Sequence, residues 1–286
     1  MKSLGIIGSD NSHSFEIAKI CNQANKVPLR VTHIAGESRA SAEAAAEAGS
    51  IPQVVDDWRE LAGKVDAIMI DHRHGDDHYE PARFFLEKRI PTFIDKPLTV
   101  DLGKARALLT LAARKRTPFC SFGLIPLQAS FRKFLAAVEA AGPVRALNTT
   151  GPVDLDSPYG GIFFYGFHQV DAIVELMGEE VKSAFLQRNG ANGVGVIRFS
   201  DDRVATLNCL SGATSFHWSA SAGKTMISAL HRHDKMVYLP SVRILHRLAS
   251  GGVVPGDRSR LLAPLAILDA LARSLRSGRF EKVASV

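Results

Sequence analysis

The sequence predicts an α/β protein with a doubly wound parallel sheet near the amino terminus, followed by an α+β region with a large, mostly antiparallel sheet. Two rhythms along the chain lead to this prediction. Up to about residue 124, short apolar strand-like runs alternate with amphipathic helix-like stretches, and helices between short strands imply parallel pairing. After residue 140 the runs are longer and alternate apolar with polar residues, which is typical of antiparallel strands.

The first region contains five strand-like runs: Leu4 to Gly8, Arg30 to Ala35, Val65 to Asp71, Pro91 to Asp95 and Phe119 to Leu124. Apolar residues at helical spacing fill the intervals, with stretches at Phe15 to Cys21, "ASAEAAAEAG" ending at Gly49, Trp58 to Lys64, Tyr79 to Lys88 and Leu102 to Arg114. Such sheets bind ligands at the carboxyl ends of their strands. We therefore predict a ligand-binding domain over residues 1–123.

The second region, residues 124–286, is predicted to bind substrate and to form the contact between subunits. Its strand-like runs are Val144 to Thr150, Lys182 to Asn189, Val194 to Ser200, Val204 to Ser211 and Met236 to Leu239, and its helices are His168 to Met177 and Leu261 to Ser277. A broad sheet with one face free of helices tends to find a partner, which predicts a homodimer or homotetramer.

The composition argues against several functional classes. The net charge is +6, but the arginines responsible are spread through the last quarter of the chain without interleaved aromatic residues, so we expect no nucleic acid partner. No apolar run is long enough to span a bilayer, and we expect no membrane partner. Three cysteines without a CxxC pair suggest free thiols. Together with the lack of a secretory signal, they predict a cytoplasmic protein with a small-molecule substrate.

Three stretches carry motifs: "FIDKPLTVDLGKA", "YGGIFFYGFHQVDAIVELMG" and "APLAILDALARSLRSGR". In their order and spacing they resemble the strand-end Glu-Lys-Pro motif, the Gly-Gly, His, Asp helix motif and the closing helix of the Gfo/Idh/MocA family of glucose-fructose oxidoreductases and inositol dehydrogenases. Asp95 stands in place of that family's Glu. The resemblance implies a Rossmann domain, a carboxy-terminal α/β domain, and oxidation of sugars, polyols or related hydroxy compounds with NAD or NADP.

The resemblance also implies catalytic residues. Lys96 matches the family's catalytic lysine, whose ammonium can hydrogen-bond the oxygen on which charge develops during hydride transfer. His168 matches its histidine at a helix start, where the positive helix end would keep the ring neutral and able to accept the alcohol proton. Phe164 replaces an Asp of the family pattern, and Tyr165 is our candidate substitute donor. Asp171 lies one helical turn beyond His168, where it could orient that ring or merely strengthen the start of the helix.

The turn after the first strand, "LGIIGSDNSHSF", is where a glycine-rich loop would hold a dinucleotide, yet of the three expected glycines only Gly8 is present. Asp10 and His13 occupy the other two glycine positions. We predict that cofactor binds with altered geometry, through Gly8 and the donors of four further residues, namely Ser9, Asn11, Ser12 and His13.

The end of the second strand, "HIAGESRAS", bears on the choice of cofactor. Ser38 and Arg39 could hold a 2'-phosphate, which favours NADP slightly, whereas Glu37 leaves NAD open. We also expect Lys96 and His72 to contact the cofactor.

A histidine-rich stretch, "DHRHGDDH", begins at the end of the strand-like run Val65 to Asp71. Because that strand's carboxyl end neighbours the first strand's, Asp71, His72, His74 and His78 could approach His13 and Lys96. We predict that His74 and His78 contact substrate, as do Lys96 and Asp171, and we assign no metal ligand.

Two alternatives to a dehydrogenase stay open. One is a redox-neutral lyase, hydrolase or isomerase that uses the histidine-rich stretch, with or without a metal, since His-x-His spacing suits ligation. The other is a non-catalytic binding or regulatory protein.

Overall fold

A computed structural model describes residues 1–286 as two compact units. One contains Met1–Phe122 and Met236–Asp257, and the other contains Gly123–Lys235 and Arg258–Val286. The predicted α/β class is confirmed, because the first unit is built on a parallel sheet and the second on a mostly antiparallel one.

The first unit has six strands: β1 (Lys2–Ile7), β2 (Leu29–Ala35), β3 (Gln53–Val54), β4 (Ala67–Ile70), β5 (Thr92–Ile94) and β6 (Phe119–Ser121). They are parallel and lie in the order β3-β2-β1-β4-β5-β6. The helices between them are α1 (Ser12–Ala18), which continues into a π-helical turn at Lys19–Gln23, α2 (Arg39–Gly49), α3 (Tyr79–Glu87) and α4 (Leu102–Lys115). The order reverses at β1 and β4, so their carboxyl ends flank the crevice where such sheets bind ligands.

The second unit begins with α5 (Ala129–Ala141), β7 (Val144–Pro152) and α6 (Ile162–Met177), then the strands β8 (Val181–Asn189), β9 (Asn192–Phe199), β10 (Val204–Leu210), β11 (His217–Ala222) and β12 (Thr225–Leu230). The chain then adds α7 (Leu239–Ala249) to the first unit. It returns with α8 (Arg258–Ser277) and β13 (Glu281–Lys282).

Seven strands form the sheet of the second unit, in the order β12-β11-β7-β10-β9-β8-β13. All pairs are antiparallel except β7 with β10. One face is apolar and packs on helices, as Trp218 shows where it stacks on Phe134 and meets Phe131 edge to face. The other face carries polar residues such as Asn148, whose amide donates to Thr206 Oγ1 at 2.8 Å. This alternation follows from the period of two along each strand.

One predicted strand is wrong. Residues 236–238 form a turn, and Leu239 begins α7 rather than ending a strand. Pro240 suits the first turn of a helix because its ring fixes φ and its missing N–H has no partner there anyway. The apolar residues that follow, among them Val242 and Leu245, recur at helical spacing and are buried. The segment packs on β1, β2 and β5, so residues 236–257 belong with the first unit rather than with the predicted region 124–286.

The three cysteines, Cys21, Cys120 and Cys209, are free and buried. No helix combines the length and the apolar character that crossing a bilayer requires.

Candidate functional site

The turn after β1 presses directly against the end of β4. Gly8 has φ of +102°, and a Cβ atom at this position would lie 2.7 Å from the carbonyl carbon of Asp71 and from the backbone nitrogen of His72. Only glycine combines that backbone conformation with so close an approach. Gly8 therefore brings the loop that follows it onto the carboxyl end of the neighbouring strand.

Glu37, two residues beyond β2, holds this loop. Its Oε2 accepts hydrogen bonds from the Ser9 backbone N–H at 2.7 Å, from Ser9 Oγ at 2.9 Å and from the Asp10 backbone N–H at 3.1 Å. Burial alone would raise the pKa of Glu37, but the backbone N–H and hydroxyl of Ser9, the backbone N–H of Glu37 itself and the charge of His72 together lower it. An ionised carboxylate thus occupies loop amides at the place where the second strand ends, the position of a ribose-binding acid in dinucleotide-binding sheets.

Three side chains from separate elements converge at the ends of β1, β4 and β5. His13 Nδ1 lies 3.1 Å from Asp95 Oδ2 and 3.9 Å from Asp71 Oδ1. The Asn11 amide donates to Asp71 Oδ1 at 2.9 Å and to Asp95 Oδ2 at 3.4 Å. We call His13, Asp71 and Asp95 the strand-end cluster. The expectation that Asp71 approaches His13 is confirmed, because neighbouring parallel strands end at the same edge of the sheet.

Lys96 follows Asp95 directly and is 5% exposed. Burial lowers the pKa of Lys96, while Asp95 and Asp71 oppose that change. Burial also raises the pKa of Asp71 well above its usual value, and the charge of Asp95 raises it further. For Asp95 burial acts in the same upward direction, but His13 and Lys96 together bring its pKa below the usual value. The strand ends thus hold an ammonium beside one readily ionised and one reluctantly ionised carboxyl.

The three histidines after β4 have different surroundings. His78 is fully buried, with Nδ1 2.9 Å from the Pro97 carbonyl oxygen and Nε2 2.9 Å from the His72 carbonyl oxygen. His74 Nδ1 accepts from the Asp76 backbone N–H at 3.1 Å and caps a 3-10 turn. Burial lowers the pKa of His72. His78 and His74 therefore use ring nitrogens to shape the loop itself.

Ser38 and Arg39, the candidates for a 2'-phosphate, have partners within the protein. The Ser38 hydroxyl caps α2 by accepting from the Ser41 backbone N–H at 3.1 Å. Arg39 donates to Glu43 at 2.6 Å and to Asp56 at 3.1 Å. A bound phosphate would have to compete with these two carboxylates for the guanidinium.

In the second unit, α6 carries His168. The helix begins at Ile162, six residues before the predicted start, so His168 lies in its second turn. The expectation that the positive end of the helix keeps this ring neutral is therefore wrong, because that effect fades beyond the first turn. Two successive glycines with positive φ, Gly160 and Gly161, precede the helix and let the chain turn into it.

The ring of His168 is buried among aromatic side chains. Its centroid lies 5.8 Å from that of Tyr165 and 5.6 Å from that of Phe216. Tyr165 is 41% exposed, so this candidate donor is open to solvent, and Phe164 packs against its ring at 5.0 Å.

Asp171 faces away from solvent toward α8. It is 1% exposed, and its Oδ1 accepts from Arg260 Nη2 at 2.6 Å. Arg260 also donates to Glu175 at 3.1 Å. Burial raises the pKa of Asp171, with Arg260 opposing. The carboxylate predicted to contact substrate is thus joined to a guanidinium from the closing helix.

Several residues near these groups were not predicted from the sequence. Tyr238 packs on the His13 ring at 5.1 Å between centroids, but it comes from a segment distant in sequence. His231 is buried, with Nε2 3.4 Å from His233 Nδ1 and Nδ1 3.4 Å from Ser130 Oγ. The His-x-His spacing in "LHRHD" is the sequence signal for the pair His231 and His233.

Solved structures share this fold along the whole chain. A Sinorhizobium meliloti protein assigned as a myo-inositol dehydrogenase has a TM-score of 0.85 at 18% identity, covering 99% of this chain and 100% of that one. The apo scyllo-inositol dehydrogenase of Lactobacillus casei has a TM-score of 0.87 at 14% identity, covering 100% and 99%. The same enzyme with bound NAD(H) and scyllo-inositol has a TM-score of 0.84 at 13% identity, covering 100% of both chains.

Sequence comparison places the amino-terminal part in a family. No curated protein is recognisably similar in sequence to this chain. Residues 2–122 match the GFO_IDH_MocA family, described as an oxidoreductase family with an NAD-binding Rossmann fold. The resemblance stated from the motifs is confirmed over residues 2–122, which match the model of this oxidoreductase family with an NAD-binding Rossmann fold.

Proposed function

We propose that this oxidoreductase uses NAD in preference to NADP and transfers a hydride to or from a hydroxyl-bearing carbon of a small polyhydroxylated substrate, such as a sugar or polyol. The observation that carries the choice of cofactor is the Glu37 carboxylate beside the loop after β1. A carboxylate here can accept hydrogen bonds from the adenosine ribose hydroxyls but would repel a 2'-phosphate. All three bonds from the loop go to Glu37 Oε2. They therefore do not prevent Oε1 from accepting a hydrogen bond from a ribose hydroxyl.

Lys96 is the proposed electrophilic donor. Its ammonium lies at the carboxyl end of β5, within the charge field of Asp95 and Asp71. Those carboxylates favour the protonated amine against the effect of burial, and a protonated amine can stabilise negative charge on the substrate oxygen during hydride transfer. The buried setting strengthens that interaction because water screens it less.

His168 is the proposed general base, with Tyr165 as an additional donor. The neutral imidazole would accept the alcohol proton as hydride leaves. The aromatic rings around His168, including Phe216, support this role because an apolar lining disfavours the imidazolium form of a histidine.

The open face of the seven-stranded sheet is the proposed contact between subunits. The helices of the second unit cover only the opposite face, and Met226 and Leu230 on the uncovered side are 69% and 51% exposed. A second copy of the chain would bury them across a two-fold axis.

A cofactor titration followed by a substrate screen tests the function. NADH and NADPH binding is measured by nucleotide fluorescence, and reduction of NAD by a panel of sugars and polyols is then recorded for the wild type, Lys96→Ala and Lys104→Ala. Lys104 is a matched control because it is a partly exposed lysine paired with Asp76. We expect tighter NADH binding, and activity lost only in Lys96→Ala. Absence of nucleotide binding in calorimetry would refute the proposal.

A further inference from the structure

We propose that the strand-end cluster of His13, Asp71 and Asp95 is a binding site for one divalent cation with mixed nitrogen and oxygen preference, of the Mn²⁺ or Zn²⁺ type. This goes beyond the hydride-transfer function and does not depend on it. The three residues come from three different elements, namely α1, the end of β4 and the residue after β5.

The spacing of the donor atoms fits a single ion. One ligand atom from each residue can be chosen so that all lie within 4.8 Å of one another, and His13 Nδ1 is 3.1 Å from Asp95 and 3.9 Å from Asp71. Ligands placed about 2.0–2.2 Å from a shared ion are separated by roughly 3–4.4 Å, depending on the angle between them. The side chains thus need only small adjustments to share a cation.

One carboxylate oxygen of the cluster has no partner. Asp71 is 0% exposed, and its Oδ2 makes no hydrogen bond, while Oδ1 of the same carboxylate faces His13 and receives the Asn11 amide. A buried carboxylate oxygen without a donor is costly. A cation at the cluster would supply the missing partner.

The charges around the cluster favour a cation. Asp95 and Glu37 add negative charge near Asp71, and Lys96 opposes them. Carboxylates bind metal in the ionised form and imidazole in the neutral form, so the cluster would present two anionic ligands and one neutral ligand to a divalent cation.

The types of ligand narrow the choice of ion. Imidazole nitrogen suits Zn²⁺ and related transition metals, whereas carboxylate oxygen suits Mn²⁺ and Mg²⁺ as well. Asn11 donates to both carboxylates and would orient them as outer partners of metal ligands do. Three protein ligands leave coordination positions open for water or for an oxygen of a bound small molecule.

Metal binding to the intact chain tests this inference without a substrate. Protein carrying no histidine tag is stripped with a chelator, dialysed against Mn²⁺ or Zn²⁺ and analysed for bound metal, with Mn²⁺ affinity taken from its EPR signal. We expect one ion per wild-type chain. Asp71→Asn and His13→Gln should each weaken binding by roughly tenfold or more, since even outer partners are worth 10–100-fold.

Asp77→Asn is the matched control, because Asp77 is an exposed carboxylate six residues beyond Asp71 and should bind metal as the wild type does. Circular dichroism checks that each variant is folded, and His13→Gln serves if Asp71→Asn does not fold. No stoichiometric binding of either ion, or binding that is the same in both cluster variants as in the wild type, overturns the site. If the wild type binds no metal and Asp71→Asn raises the free energy of unfolding, the Asp71 carboxyl is protonated in the folded protein. The proposed cation site would then be wrong.

Discussion

Glu37 accepts a hydrogen bond from the backbone N–H of Ser9 at 2.7 Å, which joins the acid after β2 to the loop after β1. The same oxygen also receives the Ser9 hydroxyl and the Asp10 N–H. A loop that lacks two of the usual glycines is therefore held by an anion belonging to the protein. Under the proposed function, the same carboxylate would contact both the loop and the adenosine ribose.

Glu37→Gln should weaken NADH binding by about tenfold, equivalent to ~1.4 kcal/mol, because a charged acceptor for loop amides and ribose hydroxyls is replaced by a neutral one. The affinity for NADPH should fall less, because the change also removes the repulsion between the Glu37 carboxylate and the 2'-phosphate. Fluorescence titration with both nucleotides measures the ratio. Glu43→Gln is the control, because Glu43 lies on α2 and forms an ion pair with Arg39. An unchanged NADH affinity in Glu37→Gln would contradict the proposed contact between Glu37 and the adenosine ribose.

Arg260→Met should lower the free energy of unfolding by about 3 kcal/mol, because it leaves the Asp171 carboxylate buried without its counter-ion. Urea denaturation measures the loss. Adding Asp171→Asn to Arg260→Met should recover part of it, since the uncompensated charge is then gone. Arg279→Met, on a side chain that is 78% exposed, should change stability by no more than about 0.5 kcal/mol. Equal effects of the two arginine changes would rule out a structural role for this ion pair.

The first region shows how far sequence patterns reach. Strand order and the shared edge of β1, β4 and β5 follow from alternation of strands and helices, and that edge correctly predicted the approach of Asp71 to His13. The reach of Glu37 across to Ser9 depends on a side-chain conformation that no periodicity encodes. The contact of Tyr238 with His13 requires a return of the chain after more than two hundred residues, which local patterns cannot reveal.

The second region shows why element boundaries failed. The stretch "YGGIFFYGF" before His168 contains three glycines and several aromatic residues, a composition that disfavours helix on propensity alone. The helix α6 nevertheless begins at Ile162, within this stretch, because Ile162, Phe163 and Phe167 are buried. Burial in the tertiary structure outweighed the low helix propensity of the stretch. His168 therefore lies in the second turn of α6 and not at its predicted start.

His231 should make stability depend on acid. Burial, and then the neighbouring His233, lower the pKa of His231 from 6.5 to about 4. The folded protein therefore holds this proton less readily than the unfolded chain does, so the free energy of unfolding is unaffected above pH 6.5 and falls as the pH drops from 6.5 toward 4. The loss should be of the order of 2 kcal/mol after allowance for solvent screening.

Urea denaturation of the wild type and His231→Asn at pH 7.5 and pH 4.5 measures this dependence. The difference in unfolding free energy between the two pH values should be smaller in the variant. His217→Asn is the control, because His217 lies on β11 of the same sheet and its face is the uncovered one. A pH dependence that is the same in the wild type and in His231→Asn would show that this ring does not titrate as described.

A charge placed on the open face of the seven-stranded sheet should separate the subunits. Thr206 lies on β10, a central strand, and its hydroxyl accepts a hydrogen bond from Asn148 on the same face. Thr206→Arg would therefore bring two arginines together across a two-fold contact. Their repulsion would prevent the burial of about 800 Å² on each chain that a stable interface needs. Light scattering after gel filtration should give a dimer or tetramer for the wild type and a monomer for Thr206→Arg. Val253→Arg, at a site 93% exposed in the first unit, should keep the wild-type mass. The open face of the sheet is a subunit contact only if the wild type is oligomeric and Thr206→Arg, but not Val253→Arg, lowers the molecular mass. Val253→Arg adds the same charge at a site where the arginines of two subunits would not meet.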